Sequence, residues 1–463
     1  MSKKLKLHPA VLLGIALAAV VIVAAVILLS TAEVRIVDSS PAGGEDGVPI
    51  TTPIRLTFSQ PMDPGSVESR FRIEPEVAGS LIWDGDTLTF RPHSALAPET
   101  TYTVTVGAGA ASLRGHLLAE DDIWHFSTRA PELLYLGRTD PEGDRRQLFR
   151  ASLGGEPPRQ LTDHAGGVWD YAVHPQGEAI AYSVLREDGG SDLWRMDREG
   201  GDGRLLLACP EAACLNPAWS PDGRQLAYER RDIWAGAPNL DPKAGRIWLL
   251  DLVKERERPL FDYDVALHSP VWAPQGERLA YVSPVLPGVE VYDLRTEDLL
   301  QFGNEWGAAP VWSPDAAYLV MPELLLAGES LVVRLVRVDL DEEQLLDISG
   351  DDDFVKDTSP AWSPGGGWIA LGRQYLDEER WTPGRQIWLT RPDASESYTL
   401  LDDPMGDHFA FAWRPDGAAL AYVRSDLAEG LQPLPDVSVW VYDLVQRKSV
   451  SIALEGVLPK WLP

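Results

Sequence analysis

Groups of carboxylates stand ahead of four regularly recurring positions in this chain, three of them tryptophans and one a valine. Asp351-Asp352-Asp353 with Asp357 precedes Trp362. Asp402-Asp403 with Asp407 and His408 precedes Trp413. Asp262 and Asp264 precede Trp272, and Asp163 with His164 precedes Val173. Such groups can trade protons, hold a divalent ion or face a cationic partner. They also suit plain exposed loops, since Asp makes turns and dissolves well. Aromatic residues stand in neighbouring loops: Trp234 between Arg230 and Gly245, and Tyr375 with Trp381 between Gln374 and Arg385. Tyr263 and Trp306 join them. Exposed aromatics on loops mark contact surfaces for protein or sugar, unless they fold back on their own strands. The candidate contact set is Trp234, Tyr263, Asp264, Asp352, Tyr375, Trp381 and His408.

Signatures of catalysis are missing from the rest of the chain. There is no Gly-x-Ser-x-Gly elbow, no His-Glu-x-x-His and no Gly-Lys-Ser/Thr phosphate loop. No catalytic residue, cofactor or metal ligand set is expected. Only Cys209 and Cys214 occur. Two nearby cysteines on a loop suit a disulfide in an oxidising compartment, with free thiols as the alternative.

The elements that must position these residues show in a repeat. Pro217-Ala218-Trp219-Ser220-Pro221-Asp222-Gly223-Arg224-Gln225-Leu226-Ala227-Tyr228 recurs, with losses, down the chain. Its Trp position falls at Val173, Trp219, Trp272, Trp312, Trp362, Trp413 and Trp461. Nine residues after the first six come Tyr182, Tyr228, Tyr281, Met321, Leu371 and Tyr422. The inner offset is fixed while the outer spacing varies, so a hairpin is kept and the loops wander. Ser-Pro-Asp-Gly is a tight turn between a Trp strand and a returning strand. A third strand follows, as in Ile247-Trp248-Leu249, and a weaker fourth. Four strands in about 40–50 residues make one blade of a propeller. Leu133-Leu134-Tyr135 reads as a returning strand with no turn before it, and Leu458-Pro459-Lys460-Trp461 as a first strand with nothing after it. The last strand therefore fits the vacancy in the first blade, which predicts seven blades over 131–463. The four acidic groups and the aromatic loops then share one rim.

The repeated Trp-Ser-Pro-Asp-Gly with Leu-Ala-Tyr resembles the WD-like propeller repeats of TolB-type proteins. The pattern departs at Ala316, which replaces the turn Gly, and at Val173. The resemblance implies an extracytoplasmic protein-binding or scaffold role. TolB-type rings also precede serine peptidase domains; this chain ends where its ring is expected to close, so peptidase activity is not expected.

Residues 10–29 are uncharged and strongly apolar, about 30 Å of helix, with Lys3, Lys4 and Lys6 before them. They predict a membrane anchor within 1–32, N-terminus cytoplasmic and the bulk of the chain outside; a cleaved signal peptide is the competing reading. Between 33 and 130, Ile54-Arg55-Leu56-Thr57-Phe58 and Tyr102-Thr103-Val104-Thr105-Val106 alternate with period two, which predicts a β-sandwich. Phe58-Ser59-Gln60-Pro61-Met62-Asp63 and Leu96-Ala97-Pro98-Glu99-Thr100-Thr101-Tyr102 are similar to the Ig-like module of bacterial surface-layer proteins, which implies a spacer or adhesion role. The formal charge of −29 excludes a nucleic-acid partner. The expectation is an all-β, membrane-anchored, extracytoplasmic binding or scaffold protein with an envelope protein as partner. A carbohydrate-binding or carbohydrate-processing propeller is the alternative.

Overall fold

The computed structural model describes residues 33–463 except 141, 142, 144, 235, 236, 239–244, 264, 286 and 428–432. The apolar segment 10–29 lies outside the described residues. Among the described residues no helix is long and apolar enough to cross a membrane. The chain forms two compact units, one from 33–48, 52–93 and 99–128, the other from 49–51, 94–98 and 129–463.

The first unit pairs two four-stranded sheets. Ile36–Ser40, Ile54–Phe58, Thr87–Pro92 and Gly79–Asp84 form one; Glu45–Val48, Asp122–Thr128, Thr101–Val106 and Phe71–Glu74 form the other. The alternating residues do what their period dictates. Ile54, Leu56 and Phe58 face inward from one sheet, Tyr102, Val104 and Val106 from the other, and all six are buried.

The second unit is all strand. Seven four-stranded antiparallel blades follow one another. Blade two is Val168–Val173, Ala179–Leu185, Ser191–Asp197 and Arg204–Leu207; blade three is Ala212–Trp219, Gln225–Trp234, Gly245–Asp251 and Arg256–Pro259. Blade four begins at His268–Trp272, blade five at Val311–Trp312, blade six at Val355–Trp362 and blade seven at Gly406–Trp413. Blade one takes its innermost strand from the far end of the chain: Val457–Leu462 pairs antiparallel with Glu132–Arg138, Trp461 opposite Leu133. The aromatic phrase thus has a structural task in every blade.

In five blades the indole N–H binds the blade to the one before it, whereas Trp362 of blade six is buried with its Nε1 unpartnered among the described residues and contributes by packing alone. Trp219 Nε1 donates to Ala172 O at 3.2 Å, Trp272 to Ala218 O at 3.0 Å and Trp312 to Val271 O at 3.1 Å. Trp413 reaches Ala361 O at 3.0 Å and Trp461 reaches Ala412 O at 2.9 Å. Each acceptor directly precedes the neighbouring Trp position. Buried apolar clusters fill the same seams and return from blade seven to blade one through Ala419, Val439, Leu133 and Trp461. The seam between blades one and two, where Val173 stands for Trp, is built differently. The Tyr171 hydroxyl lies 2.9 Å from Leu134 O and 2.5 Å from Leu458 O. Lys460 Nζ donates to Tyr171 O at 2.5 Å. The neighbouring Asp170 accepts from Ser183 Oγ and from the Asn216 amide, both at 2.5 Å.

The Ser-Pro-Asp-Gly turn is held by its own side chains. Ser220 Oγ donates to Asp222 Oδ1 at 2.6 Å, which also accepts from Arg224 N at 3.0 Å. Gly223 takes a φ of 69°, open to glycine at little cost. In blade five Ala316 takes the same left-handed place, with φ 60°.

Candidate functional site

Loops between second and third strands, and loops leading into the next innermost strand, meet on one rim of the ring. On blade six the two kinds of loop are clamped together. Asp352, from the loop before Val355–Trp362, receives the Tyr375 hydroxyl at 3.1 Å and Arg373 Nη1 at 3.2 Å. It also receives Arg380 Nη1. Arg380 binds Asp377 through Nε at 3.0 Å and Nη2 at 2.8 Å, and its guanidinium lies 4.4 Å over the Tyr375 ring. Burial pushes the Asp352 carboxyl up, but the bonds from Arg380 and Tyr375 and the two guanidinium charges hold it below its ordinary value. Trp381, the residue after Arg380, is 50% exposed.

Two of the acidic positions are buried supports. Asp357 is paired with Arg373 inside blade six, bidentate through Nε at 2.8 Å and Nη2 at 2.6 Å. Asp407 is buried and accepts from Arg385 N, Nε and Nη2 at 2.8, 2.8 and 2.6 Å. Against its burial, those bonds hold the Asp407 carboxyl below its ordinary value.

His408 is the clear correction to the sequence reading. It was expected on the exposed rim, but its side chain is fully buried. Nδ1 lies 2.8 Å from Arg385 O, and the ring is tilted against Tyr422 with centroids 5.5 Å apart. Its Nε2 lies 3.5 Å from Asp403 Oδ2, too long for a hydrogen bond. Asp403 is held well below the usual carboxylate range by the His408 ring and by Arg424. Of the two, Arg424 Nε at 2.7 Å is the close contact. Four of the aspartates in these groups, Asp352, Asp357, Asp403 and Asp407, are therefore paired with arginines.

Among the other candidates, Tyr263 is 60% exposed and stacked on Phe261, centroids 5.2 Å apart. Asp264 lies outside the described residues. Trp234 ends the strand Gln225–Trp234, so part of the expected loop is strand, paired Arg231 to Gly245; its side chain lies outside the described residues. Sequence reasoning passed over Trp169, 47% exposed at the start of the innermost strand of blade two, and Phe354. It also missed the arginines, for which a signal existed. Arg230, Arg373 and Arg424 each follow the ninth-offset residue by two, and each lies over the third-strand ring of Trp248, Trp388 or Trp440.

Cys209 and Cys214 are joined by a disulfide with Cα atoms 6.2 Å apart, tying the loop before blade three to its innermost strand, Ala212–Trp219.

Comparison with known proteins agrees with this architecture. Residues 30–128 match the family model of the bacterial Ig-like domain. An uncharacterized protein of Agrobacterium fabrum is 23% identical over 288 residues, covering 56% of this chain and 94% of that protein. The crystal structure of TolB from Acinetobacter baumannii is similar at 12% identity and TM-score 0.43, covering 93% of this chain and 99% of that one. Puromycin hydrolase is similar in fold at 14% identity and TM-score 0.51, covering 70% of this chain and 52% of that one. The chain is thus of an all-β class: a first unit that matches the bacterial Ig-like domain, and a ring of seven four-stranded blades similar in fold to puromycin hydrolase.

Proposed function

We propose that this chain is a membrane-tethered, extracytoplasmic binding protein that holds an envelope protein on the rim of its ring and catalyses no reaction. Trp381 carries the reading. Its half-exposed indole follows an arginine fixed by two aspartates and a tyrosine ring. A large aromatic side chain on a braced loop loses little freedom on binding and is the usual hot-spot anchor. The arginines on Asp352, Asp357, Asp403 and Asp407 support binding over acid–base work. A carboxylate occupied by guanidinium donors is a poor proton carrier.

The tether is residues 10–29, and the Ig-like unit serves as a spacer. The disulfide suits an oxidising compartment. Exposed Trp381 and Tyr263 rings also fit the faces of a sugar, so carbohydrate is the second reading.

The segment 33–463 spans the described residues of both compact units, and its ring closes on itself through Val457–Leu462, so it serves as the test protein. Photocrosslinkers placed beside positions 263 and 381 should capture one envelope protein, and Trp381→Ala with Tyr263→Ala should reduce that capture at least tenfold. Undiminished capture by the double variant means the rim is the wrong surface. A glycan array that retains the segment, with no protein captured, selects carbohydrate instead. Extraction at alkaline pH should leave the full chain in the membrane pellet, and its release would exclude the tether.

A further inference from the structure

A second exposed apolar surface stands on blade five. Its second and third strands, Tyr318–Ala327 and Ser330–Asp339, are ten residues each, while the innermost strand beside them has two. The hairpin therefore outgrows its sheet. Val311–Trp312 pairs only as far as Val320, and Leu345–Asp347 only with Val336 to Val338. Beyond these, Val333 makes one parallel bridge to Lys356. Leu325 to Ala327 and Ser330 to Val332 pair with each other alone. A two-residue turn, Gly328-Glu329, closes the tip, with Gly328 at φ 63°.

The tip is apolar. Leu326 and Leu331 are directly opposed across the strands and are 73% and 62% exposed. Leu325 is 39% exposed, and Trp306 and Phe354, both 38%, continue the surface at the base. Burial raises the Glu323 carboxyl on the hairpin, and the amide of Glu305, next to Trp306, acts against that rise. Lys356, two residues after Phe354, lies 5.7 Å from the Trp306 ring centroid. The fringe is acidic: Glu305, Glu329 and Asp351 are exposed, and none is in an ion pair among the described residues. Asp353 is 3.7 Å from Arg334 with its side chain 80% exposed.

We propose that this hairpin docks an extended, alternating basic and apolar segment of a partner protein as an added strand. An open edge supplies unpaired amide and carbonyl groups, which is how sheets accept a strand. Leu326 and Leu331 then take the apolar side chains, and the acidic fringe takes the lysines or arginines. Charge selects this occupant. A second copy would bring two acidic fringes together within a chain of formal charge −29, and an anionic lipid surface would be repelled in the same way. This inference rests on the reading of the rim as a contact surface, but through different residues from Trp381.

The test uses the 33–463 segment and an end-capped seven-residue peptide of alternating Val and Lys, followed by fluorescence anisotropy. The peptide should bind, and its Glu-for-Lys counterpart should not. Leu326→Ser with Leu331→Ser should weaken binding at least tenfold. Glu305→Gln with Glu329→Gln should weaken it several-fold, with a shallower salt dependence. Trp381→Ala should leave it unchanged, so the two surfaces are separable even if one reading fails. Equal affinity in the leucine variant, or equal binding of the Glu peptide, overturns the proposal. Dimerisation that the leucine variant abolishes assigns the hairpin to a second copy, and flotation with phosphatidylcholine vesicles assigns it to lipid; either result overturns it too.

Discussion

Arg373 and Asp357 face each other almost without water, their side chains 1% and 0% exposed. Burial works against charge on both. The bidentate contact lifts the arginine well above its ordinary value despite that cost, while burial raises the Asp357 carboxyl against the bonds and charge of Arg373. Removing one partner of a buried pair strands the other, at about 3–5 kcal/mol. Arg373→Ala should therefore lower unfolding stability by that order in urea titration, whereas Arg373→Met with Asp357→Leu should recover most of it. Equal losses in both variants would mean that the stability lies in packing rather than charge. Asp170 is buried, and among the described residues no arginine is bonded to it. Burial raises its carboxyl from 3.8 to about 6, against the bonds from Ser183 and Asn216. A folded value above the unfolded one contributes stability that is full below about pH 4 and lost as pH rises through 6. The shift corresponds to about 3 kcal/mol. Asp170→Asn should remove that dependence, so the stability of the wild type relative to the variant should fall between pH 4 and 7. A constant difference over that range refutes the assignment. The candidate site was only partly legible at this scale. Asp352, Tyr375 and Trp381 announce themselves as polar and aromatic residues between strands. The burial of Asp357 and His408 depends on neighbouring loops folding over them, which no local pattern records.

The turn joining first and second strands shows how one element tolerates a departure from its pattern. Ser313-Pro314-Asp315-Ala316 keeps the hydrogen bonds of its siblings, with Ser313 Oγ donating to Asp315 Oδ1 at 2.5 Å and Ala316 N to Ser313 O at 2.9 Å. It does so with a Cβ in the left-handed region, which costs about 1–2 kcal/mol. Glycine there gives back part of that as freedom in the unfolded chain. Ala316→Gly should thus stabilise the 33–463 segment by about 0.5–1 kcal/mol, read as a rise in its thermal midpoint. A fall would show that the buried methyl packs better than its backbone suffers. The fixed nine-residue offset made these hairpins readable, because a turn's chemistry and the strands beside it are local. The length of a hairpin beyond its sheet is not local. Gln225–Trp234 and Tyr318–Ala327 run on because the opposing strand runs on, so one expected loop became strand and the blade-five hairpin went unforeseen. The bulges before the Trp positions were hidden for the same reason. They place Asn216, Ser269, Ser359, Ala410 and Leu458 at φ of 51° to 55°, and only cross-strand register reveals them.

Closure belongs to the whole ring. Every blade leans on the one before it, so a missing strand leaves two seams without a partner. Val457–Leu462 supplies Trp461 to the seam with blade seven, 7% exposed, and Leu462 and Lys460 to the seam with blade two. The latter seam is the one without a repeat tryptophan, and it depends on Tyr171 and Lys460 where the others use an indole. Loss of the Trp461 side chain alone should cost about 3–5 kcal/mol, a large part of the 5–15 kcal/mol by which domains are typically stable. Deleting 458–463 also uncovers the Glu132–Arg138 edge, an unpaired strand of Leu133, Leu134 and Leu136 that invites association. The truncated 33–463 segment should melt at a markedly lower temperature and aggregate on heating. Trp461→Ala should fall between it and the wild type. Lys460→Met should loosen the blade-two seam while leaving the Trp461 bond in place. In hydrogen exchange, protection should then drop along Val168–Val173 more than along Gly406–Trp413. Unchanged melting of the truncated segment would falsify closure by the last strand, and an even loss of protection in Lys460→Met would show that the two seams are one cooperative unit.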